Sequence, residues 1–333
     1  MEALTAPLGA RPRTTPALPR AAPPNLGSKT VNGTAPSALS TDDRTLPSER
    51  SGAASAVELP TPEYSPPFVR WFTRIFWLFG RPWFRPRVEG LARIPRAPCM
   101  VVGNHSGYGV MEIFLLLSVW TRRHGTHRPV VGLSHDVGMT WPLRWGVSRI
   151  GGVRASQKTA REALHRGFDV LVFPGGDVDA LRPFSARYQV HWSGRAGFVR
   201  TAAEEGVPIV LLANCGSHAQ FTFLPGGPAI ARLIGLTRYR INSWPLPLGG
   251  FALLATLFGW ALGALSPWWV LAGLGVAFLP NPTRMQIRFL EPIDAAALLR
   301  AHAGNEAAAA ESLRTRLEAT LALLARERKT AWG

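Results

Sequence analysis

Short apolar stretches that alternate with helical ones constrain the fold of this chain more than any other feature. Five stretches have the length and apolar content of buried strands, at residues 99–103, 129–133, 169–173, 208–213 and 285–289. Helical patterning lies between them, at 113–123, 158–166 and 196–205. Such alternation is typical of strand–helix–strand units, whose strands run parallel. We therefore predict an α/β fold in which helices flank a mostly parallel sheet.

The two ends of the chain differ in composition from this core. Residues 1–62 are rich in Pro, Ala, Ser and Thr and show no hydrophobic period, so they cannot bury enough surface to offset the entropy of ordering. We predict a disordered leader at 1–62 and a folded domain at 63–330. Leucines near helical spacing at 295–329 predict one closing amphipathic helix, or two.

The first predicted strand runs directly into Asn-His-Ser-Gly at residues 104–107. His105 thus lies between turn residues at a strand end, just before a predicted helix. A neutral imidazole in this position can act as a general base on an alcohol that attacks a thioester. A carboxylate normally holds the other ring nitrogen and stabilises the imidazolium that forms. The motif indicates a site of group transfer, with His105 as the candidate base.

The strand at 169–173 continues into Pro-Gly-Gly at residues 174–176. Proline and glycine form tight turns easily, and such a turn brings backbone amides close to a ligand. Amides of this kind, or a cation, offset the charge of an oxyanion. The carboxyl ends of two predicted strands therefore carry complementary parts of one candidate site.

A long apolar segment interrupts the alternation. The chain carries no charged residue between Arg240 and Arg284, and residues 249–279 are almost wholly apolar apart from a break at Ser266-Pro267. Each half is shorter than the roughly 20 residues of a bilayer crossing, whereas a single span would be too long. We predict a shallow or re-entrant membrane hairpin at about 245–283, with arginines on both sides that keep its ends on the cytoplasmic face. The alternative is a buried hairpin that lines an acyl pocket.

A basic, aromatic helix is predicted just before the core. Phe and Trp recur over residues 68–79 with arginines between them, which is typical of a helix in a membrane interface; the alternative is an ordinary packed helix. The 12 tryptophans and the net charge of +16 also suit a surface of acidic lipids. The charge would suit nucleic acid as well, but the aromatic and basic stripe of single-strand binders is missing. We expect membrane lipids as partners and no nucleic acid.

Cysteine and histidine usage argues against disulfides and metal sites. Cys99 and Cys215 are far apart, each in an apolar stretch, so we expect no disulfide and a reducing compartment. His124 and His127 have no third ligand nearby, so we expect no metal. The start of the chain lacks the basic patch and apolar core of a secretory signal, so we expect no export.

Four blocks of the sequence resemble the glycerolipid acyltransferases of the lysophosphatidate acyltransferase superfamily, in a divergent branch that is also similar to the diacylglycerol acyltransferases. They follow the family's order, at residues 104–107, at 150–156, at 173–176 with 182–184, and at 206–210. The resemblance covers about residues 67–292. It implies a glycerol-3-phosphate acyltransferase-like fold and transfer of a fatty acyl group to a hydroxyl. The implied co-substrate is acyl-CoA or acyl carrier protein, with no other cofactor.

The chain departs from the family pattern at the partner of the histidine. The family has an aspartate five positions after its histidine, and this chain has Val110 there. Glu112 is the nearest acid. A bulge in the Gly-Tyr-Gly turn at 107–109 would bring it back towards His105 from the first turn of the next helix, so we predict these two as the catalytic pair. The alternative carboxylates are Asp177 and Asp179.

The resemblance also implies cations that hold anionic groups of the acceptor or of the acyl carrier. Arg182 and Arg195 follow the third block, where related enzymes carry basic residues near the acceptor's phosphate. Arg154 or Lys158 is expected to substitute for an arginine of the second block. His218, at the end of the fourth block, is predicted to be a structural polar residue. Further substrate contacts are predicted for Asn104, Ser106, Pro174, Gly175 and Gly176.

These observations together predict a membrane-associated acyltransferase. Its predicted acceptor is a lysophospholipid such as 1-acylglycerol 3-phosphate, at the cytoplasmic face of a membrane. A neutral glyceride or an amino-acid lipid is an alternative acceptor, because the phosphate-site arginine departs from the family pattern. A catalytically inert membrane-binding homologue is the alternative from another class, because the family aspartate is missing.

Overall fold

The computed structural model of the protein describes residues 61, 63–239, 241–330 and 332. Within them, seven strands form one sheet: β1 (Arg87–Glu89), β2 (Met100–Gly103), β3 (Val130–Ser134), β4 (Gly152–Arg154), β5 (Asp169–Val172), β6 (Ile209–Cys215) and β7 (Gln286–Phe289). Their order across the sheet is β1-β7-β6-β2-β5-β3-β4. The leader predicted at 1–62 lies outside the described residues except for Thr61.

The sheet is mostly parallel, which confirms the predicted α/β class. The pairs β2–β5, β2–β6, β3–β5 and β3–β4 are parallel, whereas β7 is antiparallel to β6 and parallel to β1. Each predicted strand corresponds to an observed one with ends that differ by one or two residues. The sequence does not predict β1 and β4, because strands of three residues are too short to show an apolar run.

Helices connect and flank the strands: α1 (Pro66–Phe84), α2 (Met111–His124), α3 (Leu143–Arg149), α4 (Gln157–His165), α5 (Gly176–Ala180), α6 (Gly197–Glu204), α7 (Gly227–Leu233), α8 (Gly250–Ala261), α9 (Pro267–Phe278), α10 (Ala295–Ala301) and α11 (Glu306–Arg326). Side-chain caps explain several starts. Ser65 accepts from the backbone N–H of Phe68, Ser156 from that of Thr159, and Asn305 from that of Ala308. The closing segment forms two helices, α10 and α11.

The sheet lies between two helical layers. Strand residues alternate between its faces, as Ile209 and Leu211 of β6 pack towards one layer and Val210 and Leu212 towards the other. The first layer contains α4, α6, α10 and α11, and the second contains α1 and α2. Strands β2 and β6 are therefore buried on both faces, as central parallel strands are.

The topology gathers several loops at one edge of the sheet. Strands β2, β5 and β6 are parallel neighbours, so their carboxyl ends meet at the same edge, where open α/β sheets bind ligands. Because β7 runs antiparallel to β6, the chain leaves β6 and enters β7 at this edge as well. Residues 216–285, with α7, α8 and α9, are therefore attached beside the carboxyl ends of the central strands.

Helices α8 and α9 form a helical hairpin, broken at Ser266 and Pro267 as predicted. Gly273 permits close packing, because a side chain there would lie within 2.2 Å of the Thr256 hydroxyl. Large apolar side chains of both helices are exposed, among them Trp268 at 75%. The hairpin is therefore not buried in the core. Among the described residues, no helix combines the length and the apolar character needed to cross a bilayer.

Candidate active site

The candidate base lies at the end of the central strand β2. His105 follows this strand after one residue, and its side chain is 15% exposed. Its Nδ1 forms a hydrogen bond with Oε1 of Glu112, which lies in the first turn of α2 and is 3% exposed. The structure thus brings together the two side chains that the sequence predicts as a pair.

A left-handed turn makes this pairing possible. Gly107 has a φ of +47° and Tyr108 a φ of +56°, in a backbone region that residues other than glycine rarely adopt. These two residues reverse the chain, so that α2 begins close to the end of β2 and Glu112 returns to the ring of His105. Val110, the position of the family aspartate, is exposed instead.

Buried polar groups hold the carboxylate of Glu112 in place. Oε1 accepts a hydrogen bond from the backbone N–H of Ser106 at 3.0 Å. Oε2 accepts from the Ser106 hydroxyl and from Nδ2 of Asn214, and the Ser106 hydroxyl also bonds to the hydroxyl of Ser217. Donors on both carboxylate oxygens fix its orientation towards the imidazole. Glu112 can therefore stabilise an imidazolium in this place.

Asn214 and Ser217 are site residues that the sequence does not predict. Asn214 lies in β6, and its backbone N–H donates to Oδ1 of Asn104 at 2.8 Å. Its carbonyl accepts from Nδ2 of Asn104 at 2.9 Å. The fully buried amide of Asn104 is thus bonded to β6 and not directed at a substrate. Asn104 and Asn214 each follow a predicted strand, but the sequence does not show that these two strands are neighbours.

An aromatic ring also orients the imidazole. Phe173, directly after β5, stacks on His105 with ring centroids 4.4 Å apart and ring planes 8° apart. An ionised carboxylate only accepts hydrogen bonds, so we assign the ring proton to Nδ1, the nitrogen that faces Glu112. Nε2 then keeps its lone pair and can take a proton from an alcohol.

Arg182 and Asp179 form a buried ion pair next to this motif. Their side chains are 2% and 0% exposed, and the guanidinium also donates to the carbonyls of Asp179 and Ala186 at 2.7 and 3.0 Å. Asp179 accepts from the backbone N–H of His105 at 2.6 Å and from that of His191 at 2.8 Å. Burial raises the pKa of Asp179 and lowers the pKa of Arg182, so each charge depends on the other.

This pair differs from the two roles that the sequence predicts. Arg182 is expected to hold an anionic group of the acceptor, but the protein encloses its guanidinium. Asp179 is expected as an alternative partner of the imidazole, but it bonds to the main chain of His105. A charge removed from water needs a counter-charge, and each of these two residues is the counter-charge of the other. The other alternative carboxylate, Asp177, accepts from the backbone N–H of Asn242 at 2.6 Å.

Arg195 lies at the Pro-Gly-Gly turn. Its exposed guanidinium donates to the carbonyls of Pro174 and Gly175, at 2.9 Å each. Gly176 begins α5, and its N–H donates to the carbonyl of Phe173 at 3.1 Å. Since Phe173 stacks on the imidazole, this turn and its arginine lie beside the candidate base. Arg195 is thus the predicted cation whose position suits contact with a substrate.

The structure does not bring Arg154 and Lys158 to the histidine. Arg154 ends β4, with β3 and β5 between that strand and β2, and it pairs with Asp136 at 3.2 Å. Lys158 is exposed on α4 and lies 3.8 Å from Glu162. Both cations thus have exposed carboxylate partners in their own part of the sheet.

Other ionisable groups near this edge are buried. His218 follows β6, and burial lowers its pKa well below the ordinary value of 6.5. Burial raises the pKa of Cys215 to about 11, and both Cys99 and Cys215 are free thiols. Within the described part of the chain, no three His, Cys, Asp or Glu side chains are arranged to hold a metal ion.

Comparison with known proteins gives a consistent family match. Residues 85–213 match the Acyltransferase family model. An uncharacterized protein of Mycobacterium tuberculosis is 29% identical over 234 residues, which cover 70% of this chain and 58% of that protein. A Gallus gallus protein named DGAT1/2-independent enzyme synthesizing storage lipids is 27% identical over 132 residues, 39% of each chain. The chain thus spans little more than half the length of the mycobacterial relative.

A solved structure also resembles this chain. It is the 1-acyl-sn-glycerophosphate (LPA) acyltransferase PlsC from Thermotoga maritima. The match has a TM-score of 0.45 and 18% sequence identity, and it covers 79% of this chain and 80% of that one.

Proposed function

We propose that the chain is an O-acyltransferase of the glycerolipid acyltransferase superfamily with His105 as its general base, and the match of residues 85–213 to the Acyltransferase family model supports this. The hydrogen bond between His105 and Glu112 carries this proposal. The family aspartate is replaced by Val110 in this chain, and the carboxylate of Glu112 takes its place beside the imidazole. An inert homologue would have no need of a buried carboxylate with donors on both of its oxygens.

The proposed reaction is direct transfer without an acyl-enzyme. Nε2 of His105 takes the proton of the acceptor hydroxyl while the alcohol oxygen attacks the thioester carbonyl of acyl-CoA or acyl carrier protein. The carbon–sulfur bond then breaks, and the imidazolium returns the proton to the thiolate. Glu112 stabilises the imidazolium between the two steps. Arg195 contributes positive charge beside the turn where the carbonyl oxygen becomes negative.

The acceptor is a lipid alcohol, and two classes remain candidates. A lysophospholipid such as 1-acylglycerol 3-phosphate requires a cation for its phosphate, for which Arg195 is suited. The enclosed guanidinium of Arg182 favours the second class, a neutral glyceride or an amino-acid lipid, because it removes one predicted phosphate ligand. Parallel assays with 1-acylglycerol 3-phosphate and with a diacylglycerol test the two classes directly.

We also propose that the protein works at the cytoplasmic face of a membrane. Exposed aromatic side chains on α1, such as Trp71 and Phe79, support contact with a membrane surface. The exposed apolar surface of α8 and α9 supports it as well, since monomeric soluble proteins rarely expose large apolar patches.

The experiment that tests the proposed reaction is an assay of thiol release from acyl-CoA with purified protein. We expect His105→Ala and Glu112→Gln to lower kcat by about 10²–10⁴-fold, because each removes part of the general base. His127→Ala, which truncates an exposed histidine away from the motif, is the matched control and should match the wild type. Equal rates for the wild type and both site variants would overturn the proposal in favour of an inert homologue.

A further inference from the structure

The helical hairpin formed by α8 and α9, here called the apolar hairpin, exposes large side chains on both helices. It contains no charged residue. Its two helices pack on one another. An apolar surface of this kind requires a partner. The exposed side chains include Phe251, Leu254, Phe258, Trp260, Trp268, Trp269, Leu271, Leu274 and Phe278.

The apolar hairpin is joined to α1 and to the edge of the sheet that holds the candidate active site. Nε1 of Trp83, in the last turn of α1, donates to the carbonyl of Pro280 at 2.8 Å. The backbone N–H of Asn281 donates to the carbonyl of Gln220 at 2.8 Å, in the segment after β6. The end of α1 therefore lies next to the segment that follows α9, beside the edge of the sheet where the central strands end.

Tyr108 connects the apolar hairpin with the catalytic turn. Its ring lies 5.6 Å from that of Phe278, the last residue of α9. The rings of Phe221, Phe223 and Trp244 surround it at 4.8 to 5.8 Å. Tyr108 is the non-glycine residue with a left-handed φ in the turn that returns Glu112 to the imidazole. A strained backbone conformation persists only where its surroundings hold it, and one of the groups that hold it belongs to the apolar hairpin.

The charge around this surface identifies the partner. At the end of α1, a hollow of about 560 Å³ is lined by Trp77, Leu78, Arg81, Pro82, Arg85 and Pro86. The two arginines are exposed beside apolar side chains, an arrangement that suits an acidic head group with its acyl chain. Together with the uncharged hairpin, this pattern favours an anionic bilayer surface over a second protein.

We propose that the apolar hairpin and α1 dock on an anionic bilayer, and that docking positions the catalytic turn through the contact between Phe278 and Tyr108. This inference rests on the proposed acyltransferase function and adds its regulation by the membrane. Tyr108 is then a positioning residue. It acts on the His105–Glu112 pair through the backbone of the turn.

The docking step is tested by co-sedimentation of the full chain with phosphatidylcholine vesicles that contain phosphatidylglycerol. We expect the Trp268→Glu/Trp269→Glu double variant to bind about tenfold or more weakly than the wild type, because two apolar anchors are lost. Leu323→Glu, which changes an exposed leucine on α11, is the control and should bind like the wild type. Equal binding by all three proteins would overturn the proposal. It would also be overturned if the wild type did not bind vesicles and instead formed a dimer.

The positioning step is tested with a water-soluble short-chain acceptor, assayed with and without these vesicles. We expect vesicles to raise kcat of the wild type more than they change KM. Phe278→Ala should bind vesicles as well as Phe258→Ala does but lose most of this stimulation. Phe258→Ala, the same change at an exposed position on α8, should keep it, and Phe278→Leu should restore part of it.

The two proposals fail in different ways. If His105→Ala keeps its activity, the proposed function is overturned. If His105→Ala is inactive but Phe278→Ala is stimulated like Phe258→Ala, only the positioning role is overturned. Matched thermal unfolding midpoints of Phe278→Ala and Phe258→Ala would exclude loss of fold as the cause of a lost stimulation.

Discussion

At the scale of residues, the carboxylate of Glu112 determines how the candidate site is organised. It accepts hydrogen bonds from the ring of His105, from the backbone and hydroxyl of Ser106, and from the amide of Asn214. The histidine could be predicted from a strand end followed by turn residues, and Glu112 from its place in the next helix. Asn214 and Ser217 could not, because their contact with Glu112 depends on which strand lies beside β2, and a single sequence does not determine strand order.

Asn214 is expected to support catalysis without touching the substrate. Asn214→Ala removes the side-chain amide that donates to Glu112, whereas both bonds of the Asn104 side chain are kept because they go to the backbone of residue 214. We expect kcat to fall by about 10- to 100-fold, because the carboxylate loses its fixed orientation. We expect the free energy of unfolding to fall by about 1–3 kcal/mol. Asn305→Ala, which removes the cap of α11, should cost about 1 kcal/mol with kcat unchanged.

Arg182 is expected to act on stability more than on acceptor binding. Arg182→Ala leaves the buried carboxylate of Asp179 without its counter-charge, so we expect a loss of about 3–5 kcal/mol in denaturant unfolding. The Asp179→Leu/Arg182→Met double variant should lose less, because no charge stays buried. A stable Arg182→Ala protein with a raised KM for 1-acylglycerol 3-phosphate would instead support the phosphate-binding role that the sequence predicts.

At the scale of elements, the sequence pattern predicts long helices and strands better than short ones. The aromatic helix α1, the break in the apolar hairpin and the five long strands follow from hydrophobic pattern and turn residues. The division of the closing segment into α10 and α11 follows from Ala303 and Gly304, both of which have positive φ. The short strands β1 and β4 exist because neighbouring strands pair with them, which no local pattern records.

The turn after β6 is expected to make stability depend on pH through His218. Burial keeps the pKa of His218 well below 6.5 in the folded protein, whereas the unfolded chain binds a proton near 6.5. Below that pH the unfolded state binds more protons, so the free energy of unfolding falls as the pH falls. We expect a lower thermal midpoint at about pH 5 than at about pH 7, and a smaller difference in His218→Gln. Parallel midpoint curves for the two proteins would contradict this assignment.

At the scale of the whole molecule, the sequence predicts the class of the fold and the edge that carries the site. It does so because parallel strands place their carboxyl ends together. It does not predict that Arg154 and Lys158 are separated from His105 by two strands, since that separation depends on the order of strands in the sheet. It also does not predict that Arg182 is enclosed, because burial follows from how α5 and the loop after it pack.

The folded domain is expected to be independent of the leader predicted at 1–62. Thr61 donates to the carbonyl of Ser148 at 3.1 Å, and Tyr64 is buried, so both residues contribute contacts to the folded domain. We expect a chain of residues 61–333 to unfold at the same temperature as the full chain in differential scanning calorimetry. Loss of Thr61 and Tyr64 in a chain of residues 66–333 should lower that temperature. A midpoint for residues 61–333 that differs from the midpoint of the full chain would contradict independence.

The antiparallel pairing of β6 and β7 has one more consequence. Cys215 and Gln286 are direct partners in this antiparallel pair. The segment between them therefore leaves the sheet and returns to it at two neighbouring strands. A segment attached in this way can change in length between its two ends without disturbing the register of the sheet. Because Ser217 and Phe278 contact Ser106 and Tyr108, insertions in the outer loop at 262–266 are the changes in this segment that should leave the catalytic turn unaltered.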